Sequence, residues 1–124
     1  MRYLTSEWIQ AADAAVQAAA STAPEAQIVV DQLVLDTVDY RVRIERTACS
    51  IALLDDGLAP ADAVFRQTRE TAQAVAQGTT DAHQAFLLGH ITFEGNIDLL
   101  IERRDAFTWL AEALQPVLAK TTFD

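Results

Sequence analysis

The chain of 124 residues has a single cysteine, one lysine, three prolines, four glycines and no long apolar run, and each shortage removes a class of answer. Cys49 has no second cysteine to pair with, so a disulfide framework is excluded. A zinc site around it is equally unsupported, because His83 and His90 are the only other soft ligands and neither stands at a recognised spacing. Cys49 therefore reads as a small buried hydrophobe, and nothing suggests an oxidising compartment. Basic residues are also scarce: nine against 18 acidic ones leave a net charge of −9. Nucleic-acid binding draws on Lys and Arg neutralising phosphates, so no nucleic-acid partner is expected, and an anionic membrane surface would repel this chain. Residues 14–24, the longest uncharged stretch near the N-terminus, fall short of the roughly 20 strongly apolar residues that span a bilayer. Glu7 and Asp13 interrupt the apolar region that a signal peptide would need. The expectation is a cytoplasmic protein with no stable membrane insertion.

What is present is 51% apolar residues in a chain long enough for one core, which predicts a single domain over residues 1–124. Ser6 as N-cap, Glu7 at the positive end of the helix dipole, and Trp8, Ala12, Ala15, Val16 and Ala19 at helical spacing predict a first helix ending before Pro24. From Gln27 to Leu54 the period changes to two, with breaks at residues 36–39 and 45–47, the pattern of a three-stranded antiparallel meander. In its middle strand Tyr40, Val42 and Ile44 alternate with Arg41, Arg43 and Glu45, so one face is covered and one is wet. A two-residue turn at Arg46-Thr47 would set Ile44 against Cys49, Val42 against Ile51 and Tyr40 against Leu53. The first strand is open to two readings, with Ile28, Val30 and Val34 on one face and Val29, Leu33 and Leu35 on the other.

After a turn at Asp55-Asp56-Gly57, a fourth strand is predicted over residues 62–67, followed by a helix capped by Thr68 and closed at Gly78. A short helix from Thr80 to Gly89, a fifth strand over residues 90–94 and a turn at Gly95-Asn96 come next. Ile97, Leu100, Ile101, Phe107, Leu110, Ala111, Leu114, Val117 and Leu118 then form a helical stripe interrupted at Arg103-Arg104-Asp105. Two helices or one bent helix fit it, and Pro116 is expected to kink or end the second part near Gln115.

Candidate chemistry is sparse. No serine sits in a Gly-x-Ser-x-Gly setting, and no Gly-x-Gly-x-x-Gly loop is present. His83, His90 and Glu94 could form a metal or acid-base cluster, against the plainer reading of an exposed helix histidine and a strand-starting one. Asp98 and Glu102 lie one helical turn apart, as a carboxylate pair would, but amphipathic helices produce such pairs routinely. The arginines Arg41, Arg43 and Arg46 are interleaved with Asp31, Asp36, Asp39 and Glu45, which points to a salt-bridged sheet face rather than a phosphate track. No metal or cofactor is expected.

Residues 61–101 carry a more specific pattern: Ala61-Asp62-Ala63-Val64-Phe65, a helix closing in Gln77-Gly78, Asp81, Ala85-Phe86, Gly89 leading His90-Ile91-Thr92-Phe93, and Gly95-Asn96 before apolar helix residues. This resembles the sterol carrier protein family of the thiolase-linked type, and Tyr3-Leu4-Thr5-Ser6-Glu7-Trp8-Ile9 resembles the opening of its stand-alone bacterial members. The resemblance implies an α/β (α+β) fold, with a five-stranded, mostly antiparallel sheet, helices packed on one face and an apolar tunnel between the layers. It implies non-enzymatic binding of a fatty acid, sterol or similar lipid. The ligand would lie against Tyr40, Val42 and Ile51 on the sheet, with Phe86, Leu87, Phe93, Ile97, Leu100, Ile101, Phe107 and Leu110 as the other candidate lining residues. From Phe86 onward these same residues could instead fill a tight core. His90 stands where many members carry Lys or Arg, and the chain is acidic, which speaks against membrane docking and acyl-coenzyme A phosphate binding. The C-terminal residues 120–124 carry no peroxisomal address. Two alternatives remain at this point. One is an enzyme using Tyr40 or Asp31 for acid-base work in the same cavity. The other is an interaction module presenting Trp109 to a second subunit, so that the chain is a monomer or a homodimer.

Overall fold

The computed structural model describes residues 1–25, 27–45, 48–55 and 57–123. In chain order the elements are α1 (Ser6–Ala18), a 3-10 turn (Ala20–Thr22), β1 (Ile28–Leu35), β2 (Asp39–Ile44), β3 (Ser50–Leu53), β4 (Ala63–Thr68), α2 (Arg69–Ala76), α3 (Ala82–Leu87), β5 (Ile91–Gly95), α4 (Ile97–Glu102) and α5 (Arg104–Leu118). The strands form one sheet in the order β3-β2-β1-β4-β5. β1 and β4 pair in parallel, and the other neighbours are antiparallel. This is the α+β architecture expected, with a mixed sheet.

Register decides what each strand buries. Tyr40 faces Leu53 and Val42 faces Ile51, as the alternation predicts, while the β2–β3 pairing ends at Arg43 and Ser50, short of Ile44 and Cys49. The turn expected at Arg46-Thr47 lies outside the described residues, as does Asp56 of the turn at 55–57. For β1, alignment of Ile28 with Ile44 and of Val30 with Val42 resolves the two readings. Ile28, Val30 and Val34 are buried in the core, and Val29, Leu33 and Leu35 take the other face. That other face carries the salt bridges: Arg41 grips Asp31 at 2.7 and 3.1 Å, and Arg43 meets Glu45 at 3.1 Å. The hydrogen bonds to Asp31 hold the Arg41 guanidinium above its usual pKa range against the opposing cost of burial. Leu54, Asp55 and residues 57–60, after β3, share a hollow with this pair on the outer side.

Helix α1 lies along β3, burying Trp8, Ile9, Ala12 and Val16. An uncovered edge strand invites pairing with another chain, and α1 blunts this one directly: Asp13 Oδ1 accepts the Ile51 amide at 2.9 Å. The N-cap is Thr5 rather than Ser6. Its Oγ1 accepts the Trp8 amide at 3.2 Å, because the helix begins one residue earlier than the Ser6 assignment assumed.

Thr68 caps α2 as expected, and the short third helix starts at Ala82 with Asp81 as its cap, two residues later than Thr80. The C-terminal stripe is two helices meeting at Arg103. Pro116 does not end α5 at Gln115; the helix continues to Leu118. The bond that proline removes would fall on the carbonyl of Glu112, an exposed residue where water can substitute. Trp109 is buried, its indole N–H donating to Thr22 Oγ1 at 3.0 Å, so it is held inside this chain rather than presented to a second subunit.

Candidate functional site

Two clefts open between the inner sheet face and the helices, one after the other along α5. The first has a volume of about 540 Å³ and is walled by Phe65, Ala82, His83, Phe86, Leu87, Ile97, Leu100, Ile101, Arg104 and Phe107. Its shape follows from short elements. Helices α3 and α4 are six residues each, and each is started by a side-chain cap: Asp81 Oδ1 accepts the Gln84 amide at 2.7 Å and Asn96 Oδ1 the Asp98 amide at 3.0 Å. Helices this short cannot bury an apolar stripe on a partner, so Leu87 stays 67% exposed, Ile101 64% and Ile97 52%. Leu88, equally exposed beside Leu87, extends this apolar surface. Large apolar side chains left in water next to a cleft are the signature of a binding surface rather than of a completed core. The base of the cleft is aromatic: Phe65 packs against Phe93 with centroids 5.4 Å apart and edge-on to Phe107 at 6.4 Å.

The second cleft, about 420 Å³, lies between α2 and the C-terminal half of α5. Tyr3, Trp8, Tyr40, Ala72, Val75, Leu114 and Leu118 supply its apolar wall, and Gln32, Gln67, Gln77 and Gln115 its polar atoms. Gln67 Nε2 donates to Gln32 Oε1 at 2.7 Å across the parallel β1–β4 pair. The rings of Tyr3 and Tyr40 meet Trp8 edge-on at 5.0 and 6.1 Å. Burial pushes the Tyr3 phenol up to about 12. Burial, with a smaller effect of Tyr3, pushes Tyr40 up further, so neither is a phenolate near neutral pH.

Of the candidate lining residues, Phe86, Leu87, Ile97, Leu100, Ile101 and Phe107 come together in the first cleft. Tyr40 belongs to the second, Phe93 stands against Phe65, and Leu110 follows Phe107 on α5, packed against the core. Val42 and Ile51 line neither cleft: they are cross-strand partners in the half of the sheet that α1 covers, 3% and 2% exposed. The glutamines of the second cleft were missed by sequence reasoning, although Gln32 interrupts the row Ile28, Val30, Val34 at core-facing parity, which is a legible signal.

The candidate catalytic groups are dispersed. Asp31, bound to Arg41, lies on the opposite face of the sheet from Tyr40. Glu94 pairs with Arg66 at 2.6 Å; His90 sits at the ends of β1 and β4, and His83 on the wall of the first cleft. Asp98 and Glu102 are exposed on α4. Among the described residues no three His, Cys, Asp or Glu side chains form a metal-ligating group, and no helix is long and apolar enough to cross a membrane.

No protein-family model matches the chain, and no curated protein matches it. Solved structures do. The chain is similar to a crystal structure of sterol carrier protein 2, at 20% identity and a TM-score of 0.68 over 90% of this chain and 96% of that one. It is similar also to a Thermus thermophilus protein described as possibly a sterol carrier protein, at 21% identity and a TM-score of 0.67 over 94% and 90% of the two chains. A palmitated sterol-carrier-like protein of Aedes aegypti matches at 18% identity and a TM-score of 0.57 over 87% and 91%. A sec-alkyl sulfatase matches over 61% of this chain and only 12% of its own length.

Proposed function

We propose that this chain, which has the sterol carrier protein 2 fold, binds and carries an apolar small molecule such as a fatty acid, a sterol or a similar lipid without transforming it. The observation that carries this reading is the first cleft, where β4, α3, α4 and α5 together present an aromatic base and aliphatic rims to a volume of about 540 Å³. Each methylene moved from water into such surroundings gains about 0.8 kcal/mol, so ten methylenes gain about 8 kcal/mol before ordering costs. Affinity in the micromolar range then requires no charged contact. The dispersed titratable groups favour carriage over catalysis. The acidic surface favours a protein that meets its ligand in solution, as a monomer or homodimer, over one docked to anionic lipid.

Titration with a fluorescent fatty acid, with native mass spectrometry of protein purified from cells, tests the reading. Saturable binding at tens of micromolar is expected, and Ala82→Trp, which fills the first cleft from its wall, should weaken it at least tenfold with the fold intact. Failure to bind any apolar probe in that range would end the proposal.

A further inference from the structure

Resting on the proposed carriage of an apolar molecule, we infer that the second cleft is a head-group site that takes an uncharged, hydrogen-bonding group and refuses a carboxylate. The two clefts share their walls. Phe65 in the first and Gln67 in the second are alternate residues on one face of β4. Phe107 in the first and Leu114 in the second lie about 10 Å apart along α5, from the rise of an α-helix. An apolar chain lying in the first cleft with its axis along α5 directs one end toward the Gln32–Gln67 pair.

The chemistry of that end is specific. None of the described residues lining the second cleft carries a charge. The single bond between the two amides uses one N–H of Gln67 and the carbonyl of Gln32. It leaves an NH2 group on Gln32 and a carbonyl on Gln67, hence donors and an acceptor side by side. A hydroxyl, which both donates and accepts, matches that pair. A carboxylate accepts only; it would face the Gln67 carbonyl with no cation to offset its desolvation. The tyrosines beside the pair stay protonated and add no charge. The cations that line the ligand region, Arg104 and, when protonated, His83, belong to the first cleft. The ligand class assigned here is therefore a long-chain alcohol or another amphiphile with a neutral head, its polar end inside and away from Arg104.

The test compares 1-dodecanol with dodecanoate, equal in chain length and different in head group, by calorimetry and by the emission of Trp8. Trp8 lines the second cleft, whereas Trp109 lines neither. Dodecanol should bind more tightly than dodecanoate and perturb Trp8. Paired Gln32→Leu and Gln67→Leu substitutions should weaken dodecanol about tenfold, the worth of one or two neutral hydrogen bonds, and leave dodecanoate unchanged. Gln67→Met, close in volume, serves should the pair fail to fold. Dodecanoate bound as tightly as dodecanol, dodecanol bound without change in Trp8, or retention of dodecanol affinity by the glutamine variants would each overturn the inference while leaving apolar carriage standing. Failure of both ligands to bind would overturn the two readings together.

Discussion

The chain has two tyrosines, Tyr3 and Tyr40, and both wall the second cleft, so tyrosinate absorbance reports on that cleft alone. Burial raises Tyr3 to about 12 and Tyr40 further. A phenol in the unfolded chain has a pKa of about 10, so at about pH 11 it is roughly nine-tenths ionised, while folded Tyr3 is roughly one-tenth ionised. The folded state then binds more protons than the unfolded state. Stability from this source is therefore complete below about pH 10 and falls as pH rises toward the folded values. By about pH 11 each tyrosine has removed about 1.4 kcal/mol, about 3 kcal/mol together, which for a domain of this length is roughly 10 °C in Tm. The assay is a stepwise alkaline titration reading the tyrosinate absorbance band, with tryptophan emission as the monitor of folding, repeated in denaturant. Native protein should develop little tyrosinate at about pH 11 where denatured protein develops two. Two phenolates titrating near pH 10 while the tryptophan emission stays native would refute the burial argument.

Asp31→Ala leaves Arg41 desolvated, with side-chain exposures of only 12% and 10% in the intact pair, and should cost about 3–5 kcal/mol in urea denaturation. Replacing both partners by Leu and Met should recover most of that loss, since the uncompensated charge is the expensive part. At Gly95, where φ is +132° and a Cβ would lie 2.6 Å from the Asp62 carbonyl oxygen, alanine should cost at least about 2 kcal/mol. Gly57, with φ +86° and open space around it, should tolerate alanine for about 1–2 kcal/mol, the backbone penalty alone. Thr5→Ala should destabilise by about 1 kcal/mol in thermal melts, whereas Ser6→Ala should be near neutral, because Thr5 holds the cap.

The sequence by itself determined the kinds of element and the covered face of β2. Period-two alternation and helical spacing are local properties, and the caps at Thr68 and the stops at Gly78 and Gly89, with φ of +78° and +79°, are read from residue type. The resemblance carried by residues 61–101 supplied the architecture, and the fold agrees with it. Six apolar candidates between Phe86 and Phe107 share one cleft because they occupy short elements, close in sequence, that the chain folds back together. Tertiary structure alone decided the rest. The covered face of β1 depended on register with β2, a relation between distant residues that one strand's pattern does not contain. Val42 and Ile51 differ from Tyr40, on the same covered face, in what lies above them: they are enclosed in the core, whereas Tyr40 packs against Trp8 of α1 on one side and borders the cleft beside α2. Asp31 and Tyr40, both plausible acid-base groups in sequence, were separated by the sheet itself, since side chains of opposite parity on paired strands emerge on opposite faces. Whether an apolar residue fills a core or borders a cleft is set by the packing of other elements against it. Hydrophobicity records that a side chain avoids water, and only the assembled layers determine whether protein or ligand takes the water's place.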